Sequence, residues 1–121
     1  MKYTITREEI NQPLVAPDTY RARIHKVKDR KSEAGNPCIM LTWRIEGTEP
    51  PAGQNVFEQM VMIPEAYWKV NEIMNAIGFD GFDDAGFASE DLVGYSCNIV
   101  VSQGTDNKGR PRNNVEAHLP I

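Results

Sequence analysis

The segment Thr19-Tyr20-Arg21-Ala22-Arg23-Ile24-His25-Lys26-Val27 decides the fold class. Tyr20, Ala22 and Ile24 alternate with Arg21, Arg23 and His25, the two-residue period of a strand with one wet face. Working outward, Gly35-Asn36-Pro37 supplies turn chemistry. A second strand then runs over Cys38–Ile45, with Ile39, Leu41, Trp43 and Ile45 on one face and Cys38, Met40, Thr42 and Arg44 on the other. Pro50, Pro51 and Gly53 break the chain before a third strand, about Asn55 to Ile63. Pro64 opens a helix, where its missing N–H costs nothing. Ala66, Val70, Ile73, Met74 and Ile77 recur at helical spacing, and Gly78 closes it. An acidic loop, Asp80 to Asp91, leads to a strand of about Tyr95–Ser102. A polar turn from Gln103 to Asn113 precedes the last strand, Asn114–Leu119. Residues 1–17, with Pro13 and Pro17 bracketing Leu14 and Val15, read as an extended arm tucked against a single domain of residues 18–121.

Five short strands with a helix between the third and fourth predict a mainly β domain. Its natural closed form is a five-stranded OB-like barrel in the order β-β-β-α-β-β, because closure removes the exposed edges of an open sheet. The alternative is a small α+β sheet with the helix on one face. At 121 residues the chain is long enough for one core. No apolar run approaches the ~18 residues of a membrane span. The opening Met1-Lys2-Tyr3-Thr4 leads to Arg7, Glu8 and Glu9 without an apolar h-region, so no secretory signal is expected. Cys38 and Cys97 cannot form a disulfide framework and are expected to be buried thiols.

The net charge of −4 counts against a nucleic-acid binder when taken as a total. Its distribution is segmental. Residues 1–45 carry a balance of +4, residues 46–100 of −9 and residues 101–121 of +1.

Several stretches in order carry a resemblance: Tyr20-Arg21-Ala22-Arg23-Ile24, Lys31-Ser32-Glu33-Ala34-Gly35-Asn36-Pro37, Ile39-Met40-Leu41-Thr42-Trp43, Ala66-Tyr67-Trp68-Lys69, Ile73 to Phe79, Asp91-Leu92-Val93-Gly94, and Lys108-Gly109-Arg110 to Leu119-Pro120. Over residues 18–121 the chain resembles a family of small bacteriophage proteins catalogued as domain-of-unknown-function family 669. The resemblance implies an OB-fold protein that binds single-stranded DNA in replication or recombination and works in the host cytoplasm.

In an OB fold the loops between strands one and two and between strands four and five flank the nucleic-acid groove. Here these are residues 26–36, with Lys26, Lys28, Arg30 and Lys31 against Asp29 and Glu33, and residues 103–113, with Lys108, Arg110 and Arg112 against Asp106. Arg21 and Arg23 extend the track if their face points into the groove. Trp43 and Phe57 are the candidates for base stacking, although the phase of Trp43 with Ile39 and Leu41 also fits a core residue. A second reading is an OB protein-interaction module, an accessory or inhibitor of a phage or host DNA-processing enzyme. Its cues are the net charge and the Asp80–Asp91 loop with Phe82 and Phe87; the bland reading of that loop has the phenylalanines plugging the barrel end. Val56, Met60, Val61 and Met62 suggest a homodimer surface. No metal, cofactor or catalytic constellation is expected: His25, Cys38, Cys97 and His118 match no zinc spacing, and no phosphate loop or nucleophile elbow occurs.

Overall fold

A computed structural model of the chain describes residues 14–80, 86–106 and 108–121. Five strands, β1 (Asp18–Lys31), β2 (Pro37–Ile45), β3 (Asn55–Val61), β4 (Ser96–Thr105) and β5 (Pro111–Leu119), form one antiparallel sheet in the order β3-β2-β1-β4-β5. One helix, α1 (Tyr67–Ile77), joins β3 to β4. Pro64 opens a 3₁₀ turn, Pro64–Ala66, and a second turn, Ser89–Leu92, precedes β4. Among the described residues no helix is long and apolar enough to cross a membrane.

The alternation read in the sequence sets the inner face. Ala22, Ile24, Leu41, Trp43, Val56, Met60, Cys97 and Ile99 are buried there, and α1 lays Val70, Ile73, Met74 and Ile77 against them. α1 ends because Gly78 takes a left-handed φ of 71°, letting Phe79 N–H reach back to Met74 O at 3.0 Å. Both cysteines are buried and unpaired. Upstream of β1, Val15 is buried and clamped by two side chains. Asn113 accepts from Val15 N–H at 2.8 Å and donates to Val15 O at 2.8 Å, while Gln103 donates to the same carbonyl at 3.0 Å.

Three expectations change. β1, β2, β4 and β5 run further into the two hairpins than their sequence bounds, so those loops shrink and Lys26, Lys28, Arg30, Lys31 and Arg112 lie on strands rather than in loops, while β3 ends at Val61 rather than near Ile63. Extended pairing with β2 and β4 carries these polar stretches, which have no apolar alternation of their own to announce a strand. The sheet is also not closed. β3 and β5 are its two edges, and they approach each other without backbone pairing. Side chains join these edges instead: His118 on β5 meets Glu58 on β3 at 2.7 Å. Finally, the apolar residues read in the third strand are divided between buried and half-buried positions. Val56 and Met60 are buried, Met62 packs against the core and Val61 is half-buried.

Candidate nucleic-acid interface

In β1, Ile24 pairs with Trp43 and Lys26 with Thr42, so His25 is an extra residue, a β-bulge. Its effect on charge is decisive. Strict alternation would put Lys26, Lys28 and Arg30 in phase with Ala22 and Ile24, with Lys26 in the place where Val27 packs against the core and Lys28 and Arg30 turned off the outer face. The bulge slips the phase by one residue. Val27 then faces Leu41 inside, and Lys26, Lys28 and Arg30 join Arg21 and Arg23 on the outer face, all five exposed.

The register extends this face across three strands. Arg23 lies opposite Arg44, which lies opposite Asn55; Lys26, Thr42 and Phe57 make the next row; Lys28, Met40 and Gln59 the third. Arg23 and Arg44 are like charges directly across a ladder, an arrangement that costs stability. Arg44 Nε–H donates to the neutral Asn55 Oδ1 at 3.2 Å. Among the described residues, no carboxylate pairs with Arg23, Lys28, Arg30 or Arg44. Asp29 falls in the inner phase and accepts from Ser89 Oγ at 3.0 Å, so it does not neutralise the outer column.

A cleft of about 480 Å³ opens between the two hairpins. Ser32 and Glu33 wall one side, Asp106, Lys108, Arg110 and Arg112 the other, and Gln59 lies between them. Within the second hairpin Asp106 organises the turn. Its carboxylate accepts from the backbone N–H groups of Lys108 and Arg110 at 2.8 and 2.9 Å and from Arg110 Nε at 2.9 Å. These bonds, the Arg110 backbone N–H first, hold the Asp106 carboxyl below its ordinary range.

A second polar cluster fills the gap between β3 and β5. Both nitrogens of His118 face carboxylates, Nδ1 with Glu72 Oε2 at 2.6 Å and Nε2 with Glu58 Oε1 at 2.7 Å. Carboxylates only accept, so both nitrogens donate and the ring is an imidazolium. Burial alone would lower the His118 pKa, but Glu58 and Glu72 more than offset it and hold it above the ordinary value. Burial likewise pushes the Glu58 carboxyl up; His118, Lys69 and Trp43 outweigh it and leave the group below its ordinary value. Trp43 Nε1–H donates to Glu58 Oε1 at 2.9 Å, and Lys69 Nζ lies 3.2 Å from Glu58 Oε2. Burial, followed by the charges of Glu58 and Glu72, pushes the nearby Cys97 thiol up to about 12. Among the described residues no group of His, Cys, Asp and Glu is placed to hold a metal ion.

The profile of the family described as Protein of unknown function (DUF669) matches residues 4–121. The chain belongs to the DUF669 family. No curated protein matches it.

In this DUF669 chain the predicted site residues separate into groups. Arg21, Arg23, Lys26, Lys28 and Arg30 share one face, but Arg21 is paired with Glu46 at 3.1 Å. Lys31 falls in the opposite phase, beside Pro37 at the strand end. Lys108, Arg110 and Arg112 line the cleft, with Arg110 spent on Asp106. Trp43 is a correction: its side chain is 0% exposed and bonded to Glu58, so no base can reach it. Phe57 is half-buried on the outer face. The Asp80–Asp91 segment is described only in part, since 81–85, and with them Phe82, lie outside the described residues. Phe87 packs edge-on against Phe79, which packs against Tyr95, at centroid distances of 5.7 and 5.4 Å. Arg44 is the outer-face cation that sequence reading left out of the site; its place in the Met40, Thr42, Arg44 alternation was the available signal.

Proposed function

We propose that the protein binds single-stranded DNA with little sequence preference, in replication or recombination of a phage, through the outer face of β1, β2 and β3 and the adjoining cleft. The observation that carries this reading is the bulge-phased column of exposed cations beside the unrelieved Arg23–Arg44 pair. An array of like charges that destabilises the free protein is relieved when a polyanion covers it. The strand order and the helix between β3 and β4 support an OB-like domain, opened along β3 and β5. That fold uses the face of its second and third strands and the two hairpin loops for oligonucleotides. Phe57 supplies an aromatic surface on that face.

A titration with oligo-dT against salt tests the reading. Neutralising four phosphates gives a slope of log K against log salt of about −3. Reversing Arg23, Lys26, Lys28 and Arg30 to Glu together abolishes binding at about 50 mM salt. Retained binding by that variant, in a protein that still melts cooperatively, would remove this face from the function.

A further inference from the structure

The outer face has a direction as well as a charge. Its cations lie in one line along β1, whereas β4 flanks only the start of that line, with the uncharged Ser96 opposite Arg23 and Asn98 opposite Arg21. On the other side β2 and β3 offer Met40, Thr42, Phe57 and Gln59, with Arg44 the one cation. A polyanion crossing the strands would meet one cation per row, or two in the Arg23 row. A polyanion running lengthwise meets Arg23, Lys26, Lys28 and Arg30 in succession. Outward positions on a strand recur every ~6.6 Å, a spacing comparable to that of phosphates on an unstacked nucleotide chain.

Resting on the single-strand reading above, we infer that the strand lies lengthwise along β1. Its phosphates sit on Arg23, Lys26, Lys28 and Arg30, and its bases turn over β2 toward β3, where Phe57 is the stacking platform. The two sides of the column decide the direction in which the bases turn. Among the described residues Phe57 is the aromatic on the outer face, two strands from Lys26 in the same row. Two strand spacings are ~9.6 Å, enough for a sugar and a base to extend from a phosphate held on β1. Unlike Tyr20, Phe79, Phe87 and Tyr95, Phe57 is not among the half-buried rings packed against the core. The bulge at His25 is the device that makes the path, because it brings Lys26, Lys28 and Arg30 into line with Arg23.

Two measurements on the full chain test this. Arg23, Lys26, Lys28 and Arg30 are each changed singly to Gln, and the salt slope for oligo-dT is measured. The lengthwise path requires every one of the four to make the slope shallower by about 0.7. A change confined to one or two of them overturns the path in favour of a crossing strand. Phe57→Leu is then titrated with oligo-dT and with an abasic oligonucleotide of equal length. It weakens dT binding about five-fold or more while leaving the abasic strand unchanged. Equal loss on both, or loss on neither, overturns the base placement. A wild-type protein that binds neither oligonucleotide at low salt instead defeats the underlying reading, so the two failures are distinct.

Discussion

At the scale of single residues, the most consequential position outside the proposed interface is His118. It sits between Glu58 and Glu72 with its side chain 1% exposed, and an imidazolium buried this deeply survives only because two carboxylates face it. The signs follow. The His118 pKa is raised, so its contribution is complete below the unfolded value of about 6.5 and is lost as pH rises through the folded value. The Glu58 pKa is lowered, so its contribution is complete above about 4.5 and is lost as pH falls through the folded value. The cluster is therefore at full strength between about pH 4.5 and 6.5. The expected outcome is a melting temperature that declines as pH rises above that window. In His118→Gln the alkaline decline is absent and stability at about pH 6 is lower by about 3–5 kcal/mol, because Glu58 and Glu72 lose the cation they share. Thermal melts of both proteins across pH check this; a wild-type melting temperature that holds level from about pH 6 to pH 9 would contradict it.

At the scale of elements, β1 shows what local pattern conveys and what it does not. Its apolar phase over Tyr20, Ala22 and Ile24 is legible, and so is that of β2, which placed Trp43 with Ile39 and Leu41. The bulge was legible only in hindsight, through the odd step from Ile24 to Val27. A three-residue apolar spacing inside a strand is the signature of an inserted residue, but a strand ending at Val27 explains the same letters. β3 was ambiguous for a different reason. Val56, Glu58 and Met60 alternate with Phe57, Gln59 and Val61, so both faces mix polar and apolar residues. His118, sixty residues downstream, is what lets Glu58 be the inward one. The bulge has a sharp test. Deleting His25 restores strict alternation, puts Lys26 where Val27 packs against the core and turns Lys28 and Arg30 off the outer face, at a cost of about 1–3 kcal/mol. His25→Ala keeps the extra residue and keeps a cooperative melt. Circular dichroism melts of the two variants read the difference, and a deletion variant as stable as His25→Ala would show that the phase slip is not needed.

At the scale of the whole molecule, the sheet has one line with no backbone ladder, between β3 and β5, and α1 spans it. Lys69 reaches Glu58 on β3 while Glu72 reaches His118 on β5, so one helical turn holds both edges. Where a closed barrel would use hydrogen-bonded peptides, this domain uses four charged side chains and an indole. Loosening is therefore expected to begin there. In His118→Gln, amide exchange should speed up in β3 and β5 first, with the pairing of β1 to β2 and β4 protected. A uniform rise across all five strands would show instead that the cluster supports global stability alone. The charge total also reads differently at this scale. The balance of −9 in residues 46–100 includes Glu58 and Glu72, drawn into the seam, and Glu46, paired to Arg21. The outer column of β1 keeps its sign within a chain of −4.

The clamp on Val15 adds a mechanical consequence. A carboxamide presents an N–H and a C=O in one plane, as a peptide does, so Asn113 substitutes for a missing length of backbone and gives the incoming chain a rung to grip. The next residue back, Arg112, lines the cleft. Tension on the chain at Val15 is thus shared between the backbone running into β1 and a side-chain leash to the β4–β5 hairpin, one residue from the cleft wall. Whatever pulls on that end of the chain also pulls on the cleft.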